Sequence, residues 1–164
     1  GADVVLVHDG PDVPWATVER VESAAEMLGA VRNHAAEADA LVSAAAISDY
    51  TVETAPEKIR SGQDDLVLEL EPAPKLVDEI RGAHPDLPIV GFKAETGGSD
   101  DQIVSQARRI LERADLSFVV GNDAGVMGAD ETRALVVRAD DYDVFEGTKT
   151  DLGDRVAAEL ATVL

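Results

Sequence analysis

Cysteine is absent from this chain of 164 residues. Its absence excludes disulfides, thiol nucleophiles and cysteine-ligated metal sites. No apolar run is long enough to cross a membrane. The N-terminus also lacks a basic region followed by a long apolar stretch, so no signal peptide is visible. We therefore expect a cytoplasmic protein without a membrane partner.

Basic residues are also scarce: 14 Lys and Arg stand against 33 Asp and Glu, and the formal net charge is −19. Such a surface repels polyanions, which excludes a nucleic-acid partner. The acids are spread along the whole chain, and two interpretations stay open. The first is adaptation to a salt-rich cytoplasm, where the Debye length falls to a few ångströms; the second is an ordinary acidic protein. Because lysine is so rare, each of the four lysines is a stronger candidate for a functional role.

Short apolar runs alternate with amphipathic stretches along the chain. The run at residues 40–46 is near-continuously apolar, as in a parallel strand covered on both faces. The pattern predicts an α/β fold of one domain, residues 1–164, with a Rossmann-like, doubly wound, mostly parallel sheet and a late β-hairpin. Strands are predicted at residues 3–8, 18–21, 40–46, 66–70, 88–93 and 116–120, and the hairpin at 134–138 and 142–145. Helices are predicted at residues 23–37, 74–81, 99–113 and 150–163, the first and third opened by capping boxes.

The segment at residues 43–59, SAAAISDYTVETAPEKI, is the best candidate for a site. Asp49 directly follows a predicted strand, and Lys58 comes from a Pro-Glu-Lys turn. Ligands bind at the carboxyl ends of strands in an open α/β sheet, so both side chains are placed to meet one. Asp49 as a turn residue and Lys58 as a solvated loop lysine are the plain alternatives.

Two other kinds of site have no support in the sequence. The chain contains neither a G-x-G-x-x-G turn nor a P-loop for holding phosphate. Its histidines, His8, His34 and His84, show no metal-binding spacing, so no metal site is predicted.

Five motifs occur in a specific order: SAAAISDY, APEKI, EPAPKLVDEI, GFKAET and VVGND. Together they resemble the phosphopantothenate–cysteine ligase (phosphopantothenoylcysteine synthetase) domain of coenzyme A biosynthesis, which in many microbes is the C-terminal half of a bifunctional flavoprotein. The resemblance implies a homodimeric enzyme that joins 4′-phosphopantothenate to cysteine through an acyl-cytidylate, using CTP and Mg²⁺. FMN would belong only to a preceding decarboxylase domain.

The resemblance covers nearly the whole chain, but the family's opening strand, Gly-Gly-Thr turn and Ser-Ser-Gly-Lys segment are not in it. We therefore expect an N-terminally truncated ligase domain, from a salt-adapted archaeon, that has weak or no activity by itself. Two alternatives are a non-catalytic dimerisation or scaffold fragment of that domain and a generic Rossmann-like nucleotide-binding module. The latter would need a Gly-rich first turn.

The resemblance also implies roles for individual residues. Lys58 is the implied catalytic residue, and Ala46 and Asn122 would shape the crevice. The implied nucleotide-binding residues are Asp49, Lys58, Pro74, Lys75, Leu76, Val77, Phe92, Arg109 and Arg113. Other interpretations remain open for several of them: Pro74 as a helix start, Phe92 as a core residue and the arginines as solvated helix residues.

Two lysines depart from the family pattern. Lys75 stands where bacterial members often have Asp, and Lys93 stands where many relatives have Ala. Lys93 would be an additional cation in the GFKAET motif.

Overall fold

The structure is a computed structural model that describes residues 1–52, 57, 65–95, 98–123 and 131–164, with the Asp123 side chain left out. These residues form nine strands and four helices. The strands are β1 (Val5–His8), β2 (Thr17–Arg20), β3 (Leu41–Ser43), β4 (Tyr50–Thr51), β5 (Glu71–Pro72), β6 (Ile89–Glu95), β7 (Phe118–Asp123), β8 (Glu131–Val137) and β9 (Tyr142–Thr148). The helices are α1 (Ala24–Ala35), α2 (Leu76–Ala83), α3 (Asp100–Ala114) and α4 (Lys149–Leu160).

The central sheet has five strands in the order β3-β6-β7-β8-β9. The first three strands are parallel to one another, and β7, β8 and β9 continue the sheet by antiparallel pairing. The predicted fold class, an α/β sheet ending in a β-hairpin, is confirmed. The remaining strands form a parallel pair, β1-β2, and an antiparallel pair, β4-β5.

Successive residues of a strand point to opposite sides of the sheet, and helices cover both sides. On one face, Ile89 and Val119 belong to a cluster that includes buried residues of α1, α2 and α3. On the other face, Val90 and Val120 pack with Val156 of α4. The face of the sheet to which a β6 residue points therefore determines which helices it meets.

Side-chain caps fix where the helices begin. Ser99 and Gln102 form the predicted capping box at the start of α3. Ser23 accepts a hydrogen bond from the Glu26 N–H, as predicted for α1, while the Glu26 carboxylate accepts from the backbone N–H of Glu22. Among the described residues, every helix is too short or too polar to traverse a lipid bilayer.

Two predicted strands differ from the structure. The predicted strand at residues 66–70 is wrong: the segment is extended but lies outside any described strand, and only Glu71–Pro72 pairs, with Tyr50–Thr51. Alternating polarity describes a half-buried ribbon, whereas Val67 is 86% exposed. The strand predicted at residues 40–46 is only Leu41–Ser43 and lies at the sheet edge, so Val42 is 44% exposed rather than covered on both faces.

Candidate functional site

Asp49 lies in the segment that follows β3, and the structure pairs it with the start of α2. Its carboxylate accepts a short hydrogen bond from the Lys75 ammonium. The backbone reinforces the contact, because the N–H of Ala73 donates to the carbonyl of Asp49 at 2.9 Å. Ser48 also donates to the Tyr50 carbonyl at 2.8 Å, which shapes the turn around Asp49. The sequence prediction that Asp49 and Lys75 belong to one site is therefore consistent with their direct contact.

Lys93 belongs to the same neighbourhood, as the register of the sheet shows. Ser43, the last residue of β3, pairs with Gly91, and β6 continues through Lys93 to Glu95. At about 3.3 Å per residue, Lys93 lies roughly 7 Å beyond the end of β3, where the chain runs toward Asp49. Its ammonium forms an ion pair with the Glu95 carboxylate at 3.1 Å.

The electrostatics connect the two lysines to Asp49. The Lys75 ammonium, mainly through its hydrogen bond and with a smaller contribution from Lys93, holds the pKa of the Asp49 carboxyl below its usual value. Asp49 therefore stays ionised down to lower pH than a free aspartate. Its side chain is 74% exposed, so the carboxylate can contact a ligand as well as Lys75.

The Pro-Lys-Leu-Val segment forms the start of α2, with Lys75 at the N-cap and Pro74 half-buried before it. Leu76 is 5% exposed and lies in the core, and Val77 packs against the same cluster. Lys75 makes no side-chain capping bond to the helix. At Leu76 and Val77, only the backbone is therefore placed to meet a ligand.

Phe92 points to the other face of β6. It is partly buried against the cluster that contains Val90 and Val156, opposite the face that carries Lys93. This position matches the alternative of a core phenylalanine at a strand end. Stacking of Phe92 on a base stays a prediction that the arrangement does not support.

The two arginines of α3 are not brought together with Asp49. The helix follows β6, so it starts at the carboxyl edge of the sheet, and Arg109 and Arg113 lie about 14 and 20 Å further along its axis. Arg113 pairs with Asp78 of α2, and Arg109 lines an exposed groove with Tyr142. Their predicted role at the nucleotide has no geometric support among the described residues.

Asn122, Ala46 and Lys58 are the remaining residues predicted for the site. Asn122 is half-buried near the carboxyl end of β7, where it pairs in register with Ala94, so it does lie at the predicted edge. Ala46 is exposed between β3 and Asp49. Lys58, with most of the loop around it, lies outside the described residues.

Arg133 of β8 is a cation near this edge that the sequence reasoning missed. Its guanidinium donates to both carboxylate oxygens of Asp100, the first residue of α3, at 2.8 and 2.7 Å, and to Glu146 at 3.3 Å. Asp100 raises the pKa of Arg133, and Arg133 lowers the pKa of Asp100. The hairpin register places Arg133 opposite Glu146, but no local pattern in the sequence indicates its contact with Asp100.

The described residues do not offer a cage for Mg²⁺. No group of three potential ligands from His, Cys, Asp and Glu lies together within them. The carboxylates nearest the candidate site, Asp49 and Glu95, are each paired with a lysine. Mg²⁺ is commonly held by one or two carboxylates together with substrate phosphates, so the described residues do not form a Mg²⁺ site by themselves.

The family model described as "DNA/pantothenate metabolism flavoprotein C-terminal domain" matches residues 1–164. A relative from Thermococcus kodakarensis, the coenzyme A biosynthesis bifunctional protein CoaBC, is 39% identical over 170 residues. That match covers 100% of this chain and 42% of the relative, so the chain spans less than half the relative's length.

Two solved structures share the fold. The DNA/pantothenate metabolism flavoprotein from Streptococcus pneumoniae superposes with a TM-score of 0.86 at 19% identity, covering 100% of this chain and 82% of that one. A Cab2 mutant in complex with phosphopantothenate-cysteine superposes with a TM-score of 0.68 at 19% identity, covering 90% of this chain and 55% of that one.

Proposed function

The chain belongs to the family of DNA/pantothenate metabolism flavoprotein C-terminal domains, and we propose that it ligates 4′-phosphopantothenate to cysteine in coenzyme A biosynthesis, with CTP as the activating nucleotide. The name of the Thermococcus relative and the ligand of the Cab2 structure support this substrate pair. A generic dinucleotide-binding module, the rival interpretation, has no comparable support.

The proposed nucleotide site is the carboxyl edge of β3 and β6. Asp49 contacts Lys75, and Lys93 is near enough to lower the pKa of Asp49, at the carboxyl ends of the neighbouring strands β3 and β6. This is the edge at which open α/β sheets bind ligands. A carboxylate there can accept hydrogen bonds from the nucleoside, and the ammonium groups can face its phosphates.

The chemistry proceeds in two displacements. The carboxylate oxygen of 4′-phosphopantothenate attacks the α-phosphorus of CTP, the bond to the bridging oxygen breaks, and pyrophosphate leaves. The cysteine amine then attacks the acyl carbon, the acyl–phosphate bond breaks, CMP leaves and the amine gives up a proton. Both steps move negative charge onto phosphate oxygens, which nearby cations stabilise.

Each residue has its own proposed role in this reaction. Asp49 contacts the nucleoside, Lys75 and the backbone at Leu76 and Val77 contact the phosphates, and Lys58 acts in forming the acyl-cytidylate. The role of Lys58 rests on the Pro-Glu-Lys motif alone, since Lys58 lies outside the described residues.

Product analysis tests the reaction. The chain is incubated with CTP, 4′-phosphopantothenate and cysteine, and phosphopantothenoylcysteine is measured by mass spectrometry, which detects even slow turnover. We expect product that requires all three substrates, and substitution Lys58→Gln to abolish it while Lys149→Gln, at the start of α4, does not. A chain that forms no product and binds no CTP would contradict the proposed function.

We also propose that the protein is a homodimer. The segment at residues 66–70 exposes Leu66, Val67, Leu68 and Leu70 by 53% or more, beside the short β4-β5 pair. A run of exposed apolar side chains of this kind is typical of a surface that another protein covers.

Light scattering should give twice the chain mass, and Val67→Asp should yield monomers whereas Val163→Asp, at another exposed valine, should not. A monomeric parent protein would refute the dimer.

A further inference from the structure

Lys93 and Lys75 each form an ion pair at the carboxyl edge of the sheet. Lys93 pairs with Glu95, and Lys75 pairs with Asp49. The four charges cancel locally in a chain with a net charge of −19. In so acidic a protein, two of the four lysines lie at the ends of neighbouring elements beside Asp49.

Both lysines lie on the same side of the central sheet. Ile89, Gly91, Lys93 and Glu95 alternate along β6 and share one face, and Ile89 packs in the cluster that includes Leu76 of α2. Lys75 is the N-cap of that same helix. The ammonium of Lys93 is also close enough to lower the pKa of Asp49, the partner of Lys75.

In each ion pair, a ligand can replace the carboxylate that the lysine contacts. The side chain of Lys75 is 54% exposed and that of Asp49 is 74% exposed, while Lys93 and Glu95 are about one-third exposed. Exposed ion pairs contribute little to stability, so a ligand can replace one partner without disturbing the fold. A phosphate chain carries more than one negative charge and can engage both ammonium groups at once.

We infer that Lys93, acting together with Lys75, binds the β- and γ-phosphates of the nucleotide, and that Glu95 competes with those phosphates for Lys93. This inference rests on the proposed function, because it assigns one part of the same ligand. The β- and γ-phosphates leave as pyrophosphate when the carboxylate attacks the α-phosphorus. The two lysines therefore neutralise the leaving group, and no proton transfer is required of them.

The test compares CTP with CMP by isothermal titration calorimetry. Lys93→Gln and Lys75→Gln should each weaken CTP binding about tenfold or more, which is the expected loss of a hydrogen bond to a charged group. CMP, which lacks the β- and γ-phosphates, should bind Lys93→Gln as it binds the parent protein, and Lys75→Gln should lose more affinity for CTP than for CMP. Lys149→Gln is the matched control, because Lys149 follows β9, three strands away from β6 and about 14 Å across the sheet.

Glu95→Gln supplies a second readout that a structural role would not produce. Removing the competing carboxylate should tighten CTP binding by about two- to threefold, which matches the small worth of an exposed ion pair, and leave CMP unchanged. Equal weakening of CTP and CMP by Lys93→Gln, or no change in either, would overturn the inference. A parent protein that binds no CTP would instead reject the proposed function, so the two failures are distinguishable.

Thermal unfolding of each variant checks that the fold is intact. We expect melting temperatures close to that of the parent protein, because both lysines are at least one-third exposed. A large drop in the melting temperature of Lys93→Gln together with reduced binding of both nucleotides would mark Lys93 as a structural residue and overturn its assignment.

Discussion

At the residue scale, exposed and buried charged side chains differ in how much they contribute to stability. Asp49 and Lys75 are mostly exposed, so their ion pair adds little to stability and is available to a ligand. Glu159 of α4 is 8% exposed and accepts hydrogen bonds from Arg138 at 2.5 Å and from Arg155 at 2.6 Å. The exposed Asp49–Lys75 pair is free to meet a ligand, whereas the network of Glu159, Arg138 and Arg155 joins α4 to the hairpin.

The hydrogen bonds of Arg138 and Arg155 to the buried Glu159 make the free energy of unfolding depend on pH. Arg138 in particular lowers the pKa of Glu159 from 4.5 to about 2. A carboxyl whose pKa is depressed on folding contributes stability above its unfolded pKa and loses that contribution as the pH falls through the folded one. Glu159→Gln should therefore cost about 2–3 kcal/mol at pH 7, the worth of charge-assisted hydrogen bonds.

Urea denaturation at a series of pH values measures this cost. The difference in unfolding free energy between the parent protein and Glu159→Gln should shrink as the pH falls from about 4.5 to about 2. Glu37→Gln, after the end of α1, serves as a control for loss of one negative charge. A difference that stays constant over this range would show that the network does not stabilise the fold through the ionised carboxylate.

At the element scale, α3 lies very close to the sheet at one point. A Cβ built on Gly121 of β7 would lie 2.6 Å from Cγ2 of Ile103, and a Cβ on Gly91 of β6 would lie 2.8 Å from Cδ1 of Leu116. The isoleucine methyl is attached next to the helix backbone and can move little, whereas the leucine methyl is the end of a longer side chain. The packing of α3 on β7 therefore requires glycine at residue 121 more strictly than at 91.

Three glycine-to-alanine variants test this packing. Gly121→Ala should lose about 1–3 kcal/mol by overpacking, and Gly91→Ala should lose less. Gly153→Ala in α4 meets no atom within 4 Å and should gain up to about 1 kcal/mol from helix propensity. Chemical denaturation ranks the three, and a Gly121→Ala variant as stable as the parent would contradict the close approach.

The sequence could predict elements whose cause is local. The start of α3 was visible because Ser99 and Gln102 form a capping box, and the hairpin was visible from two apolar runs around residues 140–141. The strand predicted at residues 66–70 fails because alternation reports polarity and cannot report whether a partner strand is present. The face to which Phe92 points was equally hidden, since it depends on which helix covers that side of β6.

The candidate site could likewise be predicted only where its cause is local. The carboxyl-end rule predicted a ligand-binding edge after the strand at residues 40–46, and Asp49 does follow β3, but its contact with a ligand stays a prediction. The arginines of α3 could not be placed from sequence, since helical spacing gives their mutual position but not their height above the sheet edge. The contact of Arg133 with Asp100 required the pairing of β7 with β8, which no local pattern records.

At the scale of the whole molecule, charge is the dominant feature. With a net charge of −19, the folded chain repels itself, and added salt screens that repulsion. Adaptation to high salt stays a prediction, and it has a direct test. The melting temperature should rise steadily as KCl increases from 0.1 M to 3 M, beyond the rise that an equimolar neutral osmolyte gives, and a melting temperature independent of salt would favour an ordinary acidic protein.

We propose that a carboxylate is activated with CTP at the edge formed by β3 and β6. Capture of the acyl-cytidylate tests this most directly, because without cysteine the intermediate has no amine to consume it. The chain is mixed with CTP labelled at the α-phosphate and with 4′-phosphopantothenate, quenched in acid and separated. We predict a labelled acyl-cytidylate with the parent protein and with Lys149→Gln, and little or none with Asp49→Asn. No labelled intermediate with the parent protein, or an undiminished yield with Asp49→Asn, would contradict the proposed activation of the carboxylate at this edge.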